Sequence, residues 1–269
     1  MSNIWFNGEF IEGKLSLDPA DRGFTLGDGL FETIAVRGGR PIWLEAHLTR
    51  LKNAADELGI AFDVAKAMTI VPLLMQKSVS PYEVMRLTLT RGASGRGLTA
   101  EAKEPGVMMS LNPFDYGKQP QSIRLAISKI RRNETAPSSR LKTLSYIDGI
   151  AAAREIMNKA DDALMLNMAG HVACTTIANV FLLKGDMLIT PRDDQGTLLG
   201  ITRQKLLGCA SQLGLKAHQD VVKVDHLFEA DAVFLTNSLR LVTAVTELDG
   251  RVLNQRSVHE IKTKLETLT

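Results

Sequence analysis

The chain has 269 residues, of which 45% are hydrophobic and 23% charged, with a formal net charge of +2. That composition describes a globular chain of one large or two smaller domains rather than a disordered one, and so small a charge gives no reason to expect a nucleic-acid partner. Two cysteines form neither a disulfide framework nor a CxxC pair, the start lacks a basic then apolar leader, and no stretch is apolar for long enough to span a membrane, so the expectation is a soluble cytoplasmic protein without a metal site.

In chain order, Ile4 and Phe6, a turn at Asn7-Gly8, then Phe10 and Ile11 predict a hairpin. Asp18 to Gly29, rich in Asp and Gly, reads as a loop, and Phe31 to Val36 as a buried strand closed by Gly38-Gly39. Leu44, Leu48, Leu51, Ala55 and Leu58 fall at helical spacing, with Gly59 as the C-cap. A second helix is expected over Val64 to Gln76, and strands over Glu83 to Thr90 and Val107 to Asn112. Asn112 to Gln121, with two prolines and a glycine, is the best linker, which sets domains at 1–112 and 122–269 with 113–121 between them. Beyond it the pattern predicts a strand (Ile123 to Ser128), a helix (Ser145 to Lys159), and strands at Asp162 to Asn167 and Asn179 to Leu183 that pair with each other. A strand at Met187 to Thr190, a helix at Thr202 to Leu213, strands at Ala232 to Thr236 and Leu241 to Thr246, and a helical tail from Ser257 to Leu268 complete the chain. Sheet and helix without strict βαβ alternation argue for two α+β domains.

Several segments look more like site than scaffold. Asp21 to Gly29 packs three glycines and three charges into a loop before an apolar strand, although an ordinary tight connection has the same composition. Thr90 to Gly97 holds Arg91 and Arg96 among glycines and small residues. Arginine forks suit carboxylate or phosphate, and a solvated loop is the equal alternative. Lys142 stands between Leu141 and Leu144; a desolvated lysine is a better nucleophile toward aldehydes, but a lone lysine is more often an exposed strand end. Gly200-Ile201-Thr202-Arg203 opens a helix, which is either an anion site or a plain cap. Thr236-Asn237-Ser238 ends a strand and is either a second anion contact or a turn.

Together and in this order, the segments resemble the class IV aminotransferases, the fold-type IV enzymes of pyridoxal 5′-phosphate (PLP). The resemblance rests on Asp21-Arg22-Gly23 with Gly27-Asp28-Gly29-Leu30-Phe31-Glu32, His47-Leu48-Thr49-Arg50-Leu51, Thr90-Arg91-Gly92, Leu141-Lys142-Thr143-Leu144, Ala178-Asn179-Val180-Phe181, Thr190-Pro191, Gly200-Ile201-Thr202-Arg203 and Thr236-Asn237-Ser238. It implies an α+β, two-domain fold, with a small N-terminal domain and a larger pseudo-barrel C-terminal domain, working as a homodimer. It implies that Lys142 is the Schiff-base lysine and proton shuttle, and that Arg50 pairs with the PLP phosphate. Ile201, Thr202, Thr236 and Asn237 complete the phosphate cup on this resemblance, and Glu32 is the carboxylate beside the cofactor. Arg22, Arg91 and Arg96 become the basic residues on the substrate side.

Two departures from the family pattern stand out. Counting back from Asn179, the place of a glutamate that meets the pyridine nitrogen holds Cys174, and a thiol is a weaker partner than a carboxylate. Phe31 replaces a tyrosine common in the aminotransferases, and Arg96 is followed by Gly97-Leu98 where D-amino acid aminotransferases carry a histidine. The resemblance implies an aminotransferase moving an amino group from a D-amino acid, an R-amine or a branched-chain amino acid to a keto acid. The alternatives are a lyase that releases pyruvate and 4-aminobenzoate from 4-amino-4-deoxychorismate, and a PLP-binding protein without catalysis.

Overall fold

The computed structural model describes residues 3–102 and 104–269; Met1 and Ser2, part of the start read for a leader, lie outside them. The chain forms two compact units, Met1–Gly117 with Lys142–Ser145, and Lys118–Leu141 with Tyr146–Thr269. The change of unit after Gly117 falls inside the stretch expected as a linker, whereas the return of Lys142–Ser145 to the first unit has no counterpart in the sequence pattern.

In the first unit, β1 (Asn3–Phe6) and β2 (Glu9–Ile11) form the expected hairpin, with Asn7 at φ 42° and Gly8 at φ 122° in its turn. The Asp-Gly loop is not wholly irregular: it contains a one-turn helix, α1 (Arg22–Leu26), started by Asp21 and ended by Gly27 in the left-handed region. Then come β3 (Gly29–Arg37), a short β4 (Arg40–Pro41), α2 (Leu44–Leu58), α3 (Val64–Met75), β5 (Tyr82–Thr90) and β6 (Gly106–Pro113). The strands make one antiparallel sheet in the order β2-β1-β6-β5-β3-β4. Leu48, Leu51, Ala54 and Ala55 form the buried stripe of α2, and Gly59 caps it by donating to the Ala55 and Asp56 carbonyls.

The second unit begins with β7 (Ser122–Ile127), a single turn α4 (Pro137–Arg140), α5 (Ile147–Ile156) and β8 (Asp162–Leu166). It continues through β9 (Val172–Thr175), β10 (Asn179–Lys184), β11 (Met187–Pro191), α6 (Ile201–Cys209), β12 (Lys216–Asp220) and α7 (Val224–Glu229). It ends with β13 (Ala232–Asn237), β14 (Leu241–Leu248), β15 (Arg251–Val252) and α8 (His259–Glu266). Nine strands share one mixed sheet, β12-β11-β10-β13-β14-β7-β8-β9, with β15 on β14. The Val172 N–H donates to the Val222 carbonyl at 2.8 Å, so the last strand returns to the segment that follows the first. The sheet thus curls into a pseudo-barrel around Leu125, Leu164, Val180, Leu182, Val233, Leu235 and Val245.

One pairing differs from expectation. The strands at 162–167 and 179–183 do not pair. β8 lies between β7 and β9, while β10 lies between β11 and β13. The intervening β9 is four residues of small and β-branched side chains, too short to register as a strand by alternation. The edge strand β12 is exposed at every position and so carries no inside–outside pattern either.

Asp21 ties α1 to β5. Its carboxylate accepts from the Gly23 and Phe24 N–H groups at 2.7 and 3.3 Å and from the Thr90 hydroxyl at 2.7 Å. Asp21→Ala is expected to destabilise the protein by about 2 kcal/mol through the lost cap and the orphaned hydroxyl, as read by urea unfolding.

Candidate functional site

In the first unit, Lys142 adds onto the start of β3. The Phe31 N–H donates to the Lys142 carbonyl and the Leu144 N–H to the Gly29 carbonyl, each at 2.9 Å. Gly29 makes this approach possible, since a Cβ there would stand 2.4 Å from the Leu89 carbonyl oxygen and 2.7 Å from Leu144. Lys142 Nζ then sits 4.4 Å from the Phe31 ring centroid. The Arg86 guanidinium lies 3.9 Å from the same centroid, placed there because Arg86 is the cross-strand partner of Thr33, two residues along the same face as Phe31.

Glu32, the next residue of β3, is 1% exposed and holds two side chains of α2. It accepts from Arg50 Nε at 2.8 Å and Nη2 at 2.6 Å, and lies 2.7 Å from His47 Nδ1. His47 and Arg50 are three positions apart and so share a face of the helix. Burial pushes the Glu32 carboxyl up, but the Arg50 charge and the bonds from His47 and Arg50 outweigh it and hold the pKa at about 2. An ionised carboxylate only accepts, so His47 Nδ1 carries the proton. Burial, opposed by Glu32, keeps the His47 pKa below its ordinary value. Burial also lowers the Lys142 pKa to about 8, aided by Arg50 and Arg86 and opposed by Glu32.

In the second unit, Asn179 and Thr236 are cross-strand partners of β10 and β13. The Asn179 amide donates to the Thr197 hydroxyl at 2.9 Å and the Leu198 carbonyl at 2.7 Å, which anchors the loop leading into α6. Its Oδ1 comes so near that a Cβ on Gly200 would meet it at 2.1 Å. Gly200 gives α6 no side-chain cap, so the first turn of the helix starts without a capping side chain. The hydroxyls of Thr202 and Thr236 are buried and have no hydrogen-bond partner among the described residues. Two orphaned donors beside an uncapped helix start fit the phosphate of PLP, which would satisfy both. Ile201, at the helix start, is buried. Asn237 instead makes a turn, its Oδ1 accepting from the Leu239 and Arg240 N–H groups at 3.1 and 2.9 Å.

Cys174 lies on β9 opposite Met165, buried among Ala126, Ala163 and Ala173. Burial raises its thiol pKa, countered in part by Arg132, so the thiol is neutral. Arg22 and Arg91, expected on the substrate side, brace the loops of the first unit. Both donate through Nε to Asp28 at 2.8 Å; Arg22 also bonds Ser94 and the Gly97 and Leu98 carbonyls, and Arg91 the Leu58 and Gly59 carbonyls. Every guanidinium nitrogen of the pair is thereby engaged. Arg96 is exposed in the loop they support. The sequence reading gave no role to His47, although it stands in the helix motif, or to Arg86, whose place depends on strand register.

Residues 29–248 match the family described as Amino-transferase class IV. The chain belongs to that family. It is 31% identical over 255 residues to the aminodeoxychorismate lyase of Bacillus subtilis, covering 91% of this chain and 86% of that protein. Among solved structures, it resembles a candidate 4-amino-4-deoxychorismate lyase from Legionella pneumophila, at 31% identity and TM-score 0.90 over 95% and 96% of the two chains. It also resembles the fold IV-transaminase CpuTA1 from Curtobacterium pusillum, at 28% identity and TM-score 0.84 over 96% and 92%. Class IV aminotransferases are PLP-dependent, and the α+β fold with its pseudo-barrel is the fold-type IV architecture of these enzymes.

The depressed Glu32 pKa means that its ion pairs stabilise the fold above the ordinary glutamate range, and that this contribution fades as pH falls from 4.5 toward about 2. Over that window the unsubstituted protein is expected to lose on the order of 3 kcal/mol more stability than Glu32→Gln, as read by urea unfolding at a series of pH values.

Proposed function

We propose that this protein is an aminotransferase in which Lys142 attaches PLP and moves the proton of the substrate Cα. The observation that carries this reading is the placement of the Lys142 amine, 4.4 Å from the Phe31 ring centroid, where burial, Arg50 and Arg86 lower its pKa against the pull of Glu32. When bound, PLP supplies an aldehyde that condenses with amino groups and a conjugated ring that takes up the electron pair released at Cα. A lysine whose pKa lies at about 8 has a sizeable neutral fraction near pH 7, which suits it both to attack a carbonyl and to accept a proton. Thr202, Thr236 and the first turn of α6 receive the phosphate, with Ile201 fixing the turn and Asn237 the neighbouring loop. Arg50 supplies the opposite charge and is held in line by Glu32. Phe31 forms an apolar wall, and Arg86 and Arg96 take substrate carboxylates. Cys174 would stand toward the ring nitrogen as a neutral thiol.

The amino donor in this reading is a D-amino acid, an R-amine or a branched-chain amino acid, and a keto acid collects the amino group in a ping-pong cycle. The working form is a homodimer in the cytoplasm. Two free, buried cysteines suit a reducing compartment, and among the described residues no helix is long and apolar enough to cross a membrane. The lyase names among its relatives favour a second reading, release of pyruvate and 4-aminobenzoate from 4-amino-4-deoxychorismate.

D-alanine, R-1-phenylethylamine and L-leucine, added singly to the PLP-loaded protein, are expected to convert the cofactor to pyridoxamine phosphate with at least one donor, followed by absorbance. No conversion together with pyruvate release from aminodeoxychorismate would establish the lyase instead, and no change with any of them a binding protein. Lys142→Ala is expected to abolish covalent PLP attachment, measured by borohydride trapping and mass spectrometry. Thr202→Val and Thr236→Val are each expected to weaken PLP retention about tenfold in equilibrium dialysis, the loss of one hydrogen bond to a charged group.

A further inference from the structure

We propose that the first unit carries a second small-molecule site, a pocket for an aromatic amino acid in its zwitterionic form. A cavity of about 710 Å³ lies between the α2–α3 helix pair and strands β1 and β6. That size falls within the range of about 300–1,000 Å³ typical of small-molecule sites. Its floor is apolar and firmly built. Trp5 and Met109 are cross-strand partners and therefore point to the same side of the sheet, 2% and 0% exposed. Phe62 and Ala67, both buried, close it from the helix side. The space exists because position 67, one turn into α3, holds an alanine; a larger side chain there would occupy it.

The rim is charged and of mixed sign, lined by Lys52, Lys66, Asp63 and Glu104, with the Asp63 carboxylate also capping α3 by accepting from the Lys66 N–H at 2.9 Å. Among the described lining residues two cations and two anions sum to zero net charge, which gives no net attraction for phosphorylated or polyanionic ligands. An ammonium and a carboxylate on one Cα match such a rim, while an aromatic side chain laid on the half-buried Val64, Pro105 and Val107, above Trp5, matches the floor. Among the described residues Lys52 is held by an exposed pair with Asp56 at 2.6 Å, the kind of contact worth under about 1 kcal/mol and easily exchanged for a ligand carboxylate. None of the lining residues belongs to the Lys142 cluster or the hydroxyl cup, so the pocket stands independently of the reading of Lys142.

Trp5 is one of two tryptophans, so Trp43→Phe leaves it as the sole fluorescent reporter. The probe is 4-nitro-L-phenylalanine, whose nitro ring quenches indole emission, compared with 4-nitrophenylacetate and 4-nitrophenethylamine, which each keep one charge. Expected is saturable quenching by the zwitterion, about tenfold weaker with either single-charge analogue and about fivefold weaker in Lys66→Glu. Lys142→Ala should leave it unchanged, which separates this pocket from binding at the lysine. Linear quenching alike for all three probes, or saturation indifferent to Lys66→Glu, overturns the proposal. If Trp43→Phe does not fold, broadening of the fluorine line of 4-fluoro-L-phenylalanine by the unsubstituted chain and by Lys66→Glu answers the same question, equal broadening by both being the overturning result.

Discussion

The first unit is organised around one buried carboxylate. Glu32 sits in the middle of a sheet strand where an isolated charge would be prohibitively costly, and the fold satisfies it from a single helix face with the fork of Arg50 and the ring of His47. That requirement fixes the rotation of α2 over β3, because residues three or four apart share the helix face that can reach one carboxylate together. It also sets the electrostatics of Lys142. Arg50 and Arg86 disfavour a charged amine there, Glu32 favours it, and burial decides the balance toward a lowered pKa. The lysine is therefore tuned by groups that have structural work of their own.

A second hub serves the loops. Asp28 accepts from Arg22 and Arg91 at once, and through their other nitrogens these arginines pin the 94–98 loop and the end of α2. The two arginine bonds and their charges hold the Asp28 carboxyl below its usual range against the pull of burial. Gly92 completes the arrangement at φ 94°, where a Cβ would meet the Glu104 carbonyl oxygen at 1.8 Å. What reads in sequence as a run of glycines and arginines is thus a braced loop that leaves Arg96 at its exposed turn. Guanidinium forks suit backbone carbonyls as well as ligand carboxylates, so composition alone does not separate the two uses.

Elements with a strong period were legible. The α2 boundaries, the Asn7-Gly8 hairpin and the strand carrying Glu32 follow from spacing and turn chemistry, and the ordered motifs single out Thr202 and Thr236, whose buried hydroxyls have no partner among the described residues. What escaped has a common cause, dependence on neighbours distant in the chain. Arg86 acquires its place over Phe31 from strand register, His47 from its distance to Glu32, and Lys142 its pairing with β3 from a four-residue excursion between units of the chain. Strands β9 and β12 lack alternation because one is buried throughout and the other exposed throughout. Without β9 in view, β8 and β10 looked like partners.

Cys174 follows from the same logic of buried charge. It packs in a buried cluster with Ala126, Ala152, Ala163, Ala173 and Met165. The cation that favours an ionised group there is Arg132, but that guanidinium is engaged by the carbonyls of Gly196, Ser138 and Ser139, and the Asp162 charge acts against it. A carboxylate at 174 would need a partner that this neighbourhood has already assigned elsewhere, whereas a thiol can be buried neutral at small cost. The departure from glutamate is therefore coupled to the way Arg132 braces the turn just before Lys142. Reintroducing a carboxylate would act on that brace as well as on any group bound above it.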